Sequence, residues 1–192
     1  MTLVFATHNP HKVKEVQALL PNTIQLKSLT DIGCTEEIIE DAPTIAGNAL
    51  LKARYVKHTY GYDCFADDTG LEVEALQGAP GVYSARYAGP QKNAEDNMSK
   101  LLQELSNQSN RKAQFKTVIA FAKAEETYTF EGICTGEITK ELSGDQGFGY
   151  DPIFLPEGKE HTFAQMTQDE KGKISHRGRA MQKFIEFLDQ KK

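Results

Sequence analysis

His11 and Lys12 follow Asn9-Pro10, a pair that reads as a helix cap with a first-turn proline, so two basic side chains fall in the first turn of a helix. His176 and Arg177 repeat the arrangement after Ser175, with Lys171 and Lys173 just upstream. A helix N-terminus carries partial positive charge and unpaired N–H groups, which disfavours cations there. Two such starts in a chain of net charge -5 point to an anion at each, and phosphate is the usual one. Side chains that simply reach into water would also tolerate the position, at a cost of roughly a few tenths of a kcal/mol.

The complementary feature is acidic. Asp67-Asp68-Thr69-Gly70 follows the apolar run Cys64-Phe65-Ala66, which places carboxylates at the end of a strand, where open α/β sheets build their sites. Carboxylates beside phosphate repel it unless a divalent cation lies between them. Mg²⁺ suits oxygen ligands combined with substrate phosphates. Glu40, before the second helix, is a candidate partner ligand. Read by itself, Asp-Asp-Thr-Gly is equally turn material. Lys52 lies one helical turn beyond Asn48 and shares its face.

In Gly147-Phe148-Gly149-Tyr150-Asp151-Pro152, two glycines let the backbone approach a ligand, and the Phe148 ring offers a stacking surface. A tight loop with Phe148 in the core has the same composition. The sequence contains no GxxxxGK[ST] loop, no GxGxxG after a strand and no HExxH.

These groups must be positioned by a regular framework. Leu3 to Thr7 and Ile24 to Leu29 read as strands, with Val13, Val16, Leu19 and Leu20 at helical spacing between them. Thr44 opens a helix that runs to about Tyr60-Gly61, and Asn93 to Leu105 forms another. Phe115 to Phe121 and Tyr128 to Cys134 alternate as the strands of an antiparallel hairpin. Gly78 to Gly81 is turn material, and Gly144 to Pro156 is a loop. Met181, Phe184, Ile185 and Leu188 form the apolar stripe of a last helix. The order predicts an α/β protein with a mixed sheet and flanking helices, residues 1–192 forming one domain or at most two lobes on one sheet.

Composition narrows the class. Hydrophobic residues at 39% and charged ones at 26% are those of a globular chain, which confines disorder to Gln190, Lys191 and Lys192. The acidic balance argues against a nucleic-acid binder with a broad basic surface. No apolar run is long enough to span a membrane or act as a leader. Cys34, Cys64 and Cys134 are scattered, as reduced thiols in a cytoplasmic protein are. The expectation is a soluble, metal-dependent enzyme acting on a small phosphate-rich molecule.

Six segments in order make the chain recognisable. They are Thr7-His8-Asn9-Pro10-His11-Lys12, Asn48 to Ala53, Ala66 to Leu71, Gly78 to Tyr87, Gly147 to Phe154, and Ser175-His176-Arg177-Gly178. In this set the chain resembles the inosine triphosphate pyrophosphatase family, which hydrolyses ITP, dITP and XTP to the monophosphate and pyrophosphate. The resemblance implies a long, twisted mixed sheet with flanking helices, two lobes around a deep substrate cleft, and a homodimer. It implies that Thr7, His8, Asn9, Pro10, His11 and Lys12 grip the triphosphate, Asn9 and Lys12 most directly. Glu40 and Asp68 would hold Mg²⁺, with Asp68 as general base, and Lys52 would help neutralise the phosphates. Thr69 would touch the substrate. Phe148, Gly149, Tyr150, Asp151, Lys171, His176 and Arg177 would form the nucleoside side, with Phe148 stacked on the base.

One departure stands out. The family commonly has glutamate where this chain has Gly47. With Thr44 as N-cap, that glutamate would complete a capping box, and glycine forgoes it at about 1 kcal/mol. The approach of Glu40 is then expected to be less rigid.

Overall fold

A computed structural model describes residues 2–190. In chain order the elements are β1 (Thr2–Phe5), α1 (Pro10–Leu19), β2 (Gln25–Ser28), α2 (Ile45–Tyr60), β3 (Cys64–Val73), β4 (Pro80–Gly81), α3 (Ala94–Glu104), β5 (Lys112–Lys123), β6 (Glu126–Ile138), β7 (Phe154–Pro156), α4 (Gln168–Ile174) and α5 (His176–Gln190). Of the terminal residues singled out above, Gln190 closes α5, and Lys191 and Lys192 lie outside the described residues.

The strands form one mixed sheet of order β2-β1-β3-β5-β6-β7, with β4 paired to β3. β1 runs parallel to β2 and β3, whereas β3 with β4 and β6 with β7 are antiparallel. The α/β class expected from the element order is therefore present. Local signals account for several boundaries. The Asn9 carboxamide accepts the N–H groups of His11 and Lys12 and so opens α1. Thr44 caps α2, and Gly61, at φ +76°, ends it in the left-handed conformation that glycine adopts without penalty.

Three expectations change. β3 does not stop at Asp67-Asp68-Thr69-Gly70 but runs on to Val73, because Leu71 and Glu72 pair with Gly81 and Pro80. The turn-like composition is overridden by pairing with a distant segment. The Gly144–Pro156 stretch is not all loop, since Phe154–Pro156 pairs with Gly136–Ile138 as β7. A helix not anticipated, α4, starts at a capping box in which Thr167 and Glu170 satisfy each other's backbone N–H groups.

Two compact units divide the chain. The first comprises Met1–Asp68, Thr117–Gly132 and Arg177–Lys192; the second comprises Thr69–Lys116 and Ile133–His176. Each has a core of its own. In the first, Phe5 and Phe65 stack at 4.7 Å, and Phe184 from α5 packs on Phe65, Phe121 and Phe130 at 5.0, 5.1 and 5.4 Å. The stripe read from the last helix is thus the face that α5 buries. In the second, Phe115, Phe154 and Phe163 pack with Leu101, Leu105 and Ile153. The three cysteines form no disulfide and are buried. Among the described residues no helix is long and apolar enough to cross a membrane.

Phe184 is fully buried at the junction of three aromatic contacts. Phe184→Ala should cost about 3–5 kcal/mol in urea unfolding. A variant as stable as the parent would contradict this account of the core.

Candidate active site

Successive side chains on a strand point to opposite faces, and β3 uses that alternation to separate Asp67 from Asp68. Asp67 is 1% exposed and accepts from Lys12 Nζ at 2.8 Å, and from Arg177 Nε and Nη2 at 3.0 and 2.9 Å. Arg177 also pairs with Glu15 of α1 at 2.5 Å. Burial alone would raise the Asp67 pKa, but Lys12 and Arg177 hold it far below the carboxylate range. For Lys12 burial prevails over the attraction of Asp67, and its pKa is lowered. The anion at both basic helix starts is therefore, in the first instance, a carboxylate of the chain itself.

Asp68 has a different environment. Asn48 Nδ2 donates to its Oδ2 at 3.3 Å, and Lys52 Nζ lies 3.8 Å from its Oδ1. Lys52 also donates to Glu40 Oε1 at 2.5 Å. The shared helix face read for Asn48 and Lys52 is real, and both side chains meet Asp68. Burial raises the Asp68 pKa; Lys52 and Lys12 oppose this while Glu40 and Asp67 add to it, and the net shift is upward. Lys52 is buried as well, yet Asp68, Glu40 and Asp67 keep its pKa above the usual lysine value.

Thr7, His8 and Asn9 lie between β1 and α1, and Pro10, His11 and Lys12 open the helix. The Asn9 N–H donates to Thr7 Oγ1 at 3.1 Å, and His8 Nε2 lies 3.0 Å from the Glu36 carbonyl. His8, Pro10 and His11 are exposed and Asn9 is half-buried. Gly47 keeps half of the helix cap, since its N–H donates to Thr44 Oγ1 at 3.0 Å. A Cβ on Gly47 would stand 2.7 Å from the Ala42 Cβ. The glycine therefore admits the segment that carries Glu40 instead of merely loosening it.

In the second unit, Gly147 and Gly149 adopt φ of +74° and +64°, and the turn they make lets Asp151 Oδ2 accept the Phe148 N–H at 2.9 Å. The same oxygen accepts from Lys171 Nζ at 2.6 Å, and that ammonium lies 5.1 Å from the Phe148 ring centre and 5.5 Å from Phe163. His176 is buried and stacks on Phe115 at 4.5 Å. The Tyr150 hydroxyl donates to the Ser84 carbonyl at 2.7 Å, which leaves its ring in the core. Thr69 is half-buried on β3. The predicted residues thus gather as two sets: Lys12, Glu40, Lys52, Asp68 and Arg177 in the first unit, and Phe148, Asp151 and Lys171 in the second.

Glu15 escaped sequence reading, because it carries no motif signal and only the packed fold reveals its pairing with Arg177. Asn48 was read as sharing a helix face with Lys52, but its bridge between Ala42 and Asp68 was not. Lys171 was named on the nucleoside side, but the Thr-x-x-Glu capping box that places it on a helix went unused.

A metal requires hard oxygen donors here. Among the described residues, no three His, Cys, Asp or Glu side chains converge as a self-sufficient cage. Glu40 and Asp68 do converge on one cation, the Lys52 ammonium. Two carboxylates completed by phosphate oxygens are the donor set that suits Mg²⁺, so these residues fit such an ion.

The fold and the paired carboxylates and lysines define an α/β protein built to handle phosphate charge. The profile of the Ham1 family matches residues 3–187, and the chain belongs to that family. It is 59% identical over 188 residues to the dITP/XTP pyrophosphatase of Flavobacterium psychrophilum, covering 98% of this chain and 99% of the relative. It is 46% identical to that of Bacillus subtilis, covering 97% and 96%. The solved structure of the Staphylococcus aureus Ham1 protein superposes with a TM-score of 0.90 at 38% identity over the whole of both chains. The resemblance read from the six ordered segments is borne out.

Lys52 is a cation that opposes the upward shift of Asp68. Lys52→Met should therefore raise the Asp68 pKa further, as read by NMR titration of the carboxyl carbon. An unchanged or lower value would contradict the charge coupling. On the other face of β3, Asp67→Ala strands Arg177 and Lys12 without their shared carboxylate and should cost about 3–5 kcal/mol near neutral pH in urea unfolding. Because the folded-state pKa of Asp67 is depressed, its contribution is complete above the unfolded carboxylate pKa and fades as pH falls through the folded value. The penalty should shrink in acid.

Proposed function

We propose that this chain hydrolyses the non-standard purine nucleoside triphosphates dITP, XTP and ITP to the monophosphate and pyrophosphate. Its place in the Ham1 family and its relatives named dITP/XTP pyrophosphatase support the reaction. The observation that carries the chemistry is the meeting of Asp68, Glu40 and Lys52 beside Asn48, with Lys12 half-buried against the neighbouring Asp67.

In this reading water attacks the α-phosphorus. A new O–P bond forms, the bond between the α-phosphorus and the bridging oxygen to the β-phosphorus breaks, and pyrophosphate departs with that oxygen. Asp68 takes the proton of the attacking water, a role favoured by its raised pKa. Lys12 and Lys52 neutralise charge on the departing oxygens, which counts for more in phosphoryl chemistry than any covalent step. Mg²⁺ bound by Glu40 and Asp68 would supply polarisation of the water and further neutralisation of phosphate charge.

For the purine, Lys171 has the right polarity. Its ammonium, anchored by Asp151, is a donor only and matches an oxo group at position 6, whereas the amino group of adenine offers it no acceptor. Phe148 supplies a ring face for the base. The chain acts as a homodimer in the cytoplasm. The exposed, adjacent Leu51 and Tyr55 on α2 offer apolar area for self-association, and three unbridged cysteines suit a reducing compartment.

The test is product analysis with dITP, XTP, ITP and ATP, with and without Mg²⁺. Pyrophosphate and monophosphate should appear from the first three, and Asp68→Asn should lower kcat by about 10²–10⁴-fold. Release of inorganic phosphate without pyrophosphate would overturn the reading.

A further inference from the structure

The segment from Cys34 to Pro43 carries Glu40 without helix or strand to hold it. It is fastened to α2 on both sides of Glu40. Before it, the Glu36 carboxylate accepts the hydroxyls of Tyr55 and Tyr60 at 2.7 and 2.8 Å. After it, the Ala42 N–H donates to the Asn48 side-chain oxygen at 3.0 Å. The amide nitrogen of the same Asn48 donates to Asp68 at 3.3 Å. One carboxamide, 1% exposed, thus spans two structures, the backbone two residues beyond Glu40 and the carboxylate of Asp68.

The geometry points to Asn48 as the positioning residue that sets the spacing of Glu40 and Asp68 for a divalent cation, with Gly47 providing the close approach the bridge needs. The inference rests on the metal reading of those two carboxylates given above. Asn48 ligates nothing itself. Its oxygen accepts from a backbone donor, the Ala42 N–H, and its nitrogen donates to Asp68 Oδ2, leaving Oδ1 on the side of Lys52, so it fixes where the Asp68 carboxylate and the Glu40 segment stand. Gly47 enters through space, not through conformation. A side chain there would meet the Ala42 Cβ at 2.7 Å and lift Ala42 away from Asn48, while the Ala42 Cα lies 4.0 Å away, at ordinary contact distance. Outer partners that orient metal ligands typically affect affinity without touching the ion.

The experiment is Mn²⁺ titration of the full chain without nucleotide, followed by electron paramagnetic resonance, alongside steady-state kinetics at saturating metal. Asn48→Leu keeps the branched shape, though not the volume, and removes both hydrogen bonds. It should weaken Mn²⁺ binding by about ten- to a hundredfold, while KM for dITP at saturating metal stays near the parent value. Gly47→Ala leaves Asn48 intact and should weaken Mn²⁺ binding in the same direction. Adding Ala42→Gly to Gly47→Ala removes the colliding methyl and should restore it. This pair decides the matter even where Asn48→Leu does not fold. Parent-like Mn²⁺ affinity in Gly47→Ala, or no recovery in the double variant, overturns the proposal. Glu40→Gln serves as the control on the underlying reading: if it too leaves Mn²⁺ affinity unchanged, the metal assignment itself fails and takes the bridge with it.

Discussion

The buried carboxylate of Asp67 is the constraint on which the first unit depends. Three segments distant in sequence meet at it: β3, which carries it, α1 through Lys12, and α5 through Arg177. At an effective dielectric of about 20, charges 2.8 Å apart attract by about 6 kcal/mol. Removing each ion from water costs several kcal/mol, so the cluster brings little net stability. What it imposes is geometry. Any other arrangement of α1 and α5 against β3 leaves a buried charge without its counterion, and that is expensive.

The same strand then frees its neighbour for chemistry. Alternation turns Asp68 away from the Lys12–Arg177 pair and towards α2, where its counterions are fewer and its pKa rises instead of falling. Two adjacent, identical side chains therefore carry opposite shifts for a stated reason. Asp67 meets Lys12 and Arg177 at contact distance, whereas Asp68 has Lys52 at 3.8 Å and a weaker pull from Lys12, together with the like charge of Glu40. The fixed carboxylate supports the framework, and the perturbed one is suited to accept a proton.

Much of this was legible before the fold was known, and what was not has a physical explanation. Helix limits set by local chemistry could be read directly: Asn9-Pro10 for α1, Thr44 and Gly61 for α2, and the apolar stripe of α5. The basic first turns were read as sites for a bound anion, usually phosphate, and sequence could not say that the chain itself supplies carboxylates to Lys12 and Arg177. The run of β3 through Asp67–Gly70 depends on Pro80 and Gly81, ten or more residues away, and composition favours a turn there. Family resemblance named Asp68, Glu40 and Lys52 together. Asn48 lies in one of the matched segments, but its amide's two partners, like the pairing of the Glu15 carboxylate, became visible only in the fold.

Lys52 resolves a difficulty that such a site faces on its own. Two carboxylates brought together in a partly buried place repel each other and tend to splay or take up a proton. An ammonium 2.5 Å from Glu40 and 3.8 Å from Asp68 offsets that repulsion. Its side chain is only 8% exposed, so water screens the attraction weakly. Lysine suits the role better than arginine would, because a compact charge on a flexible stem can turn from carboxylate to phosphate without a planar fork to reorient. Arg177 stands where the opposite property is needed, since it uses its fork to hold Asp67 and Glu15 at once.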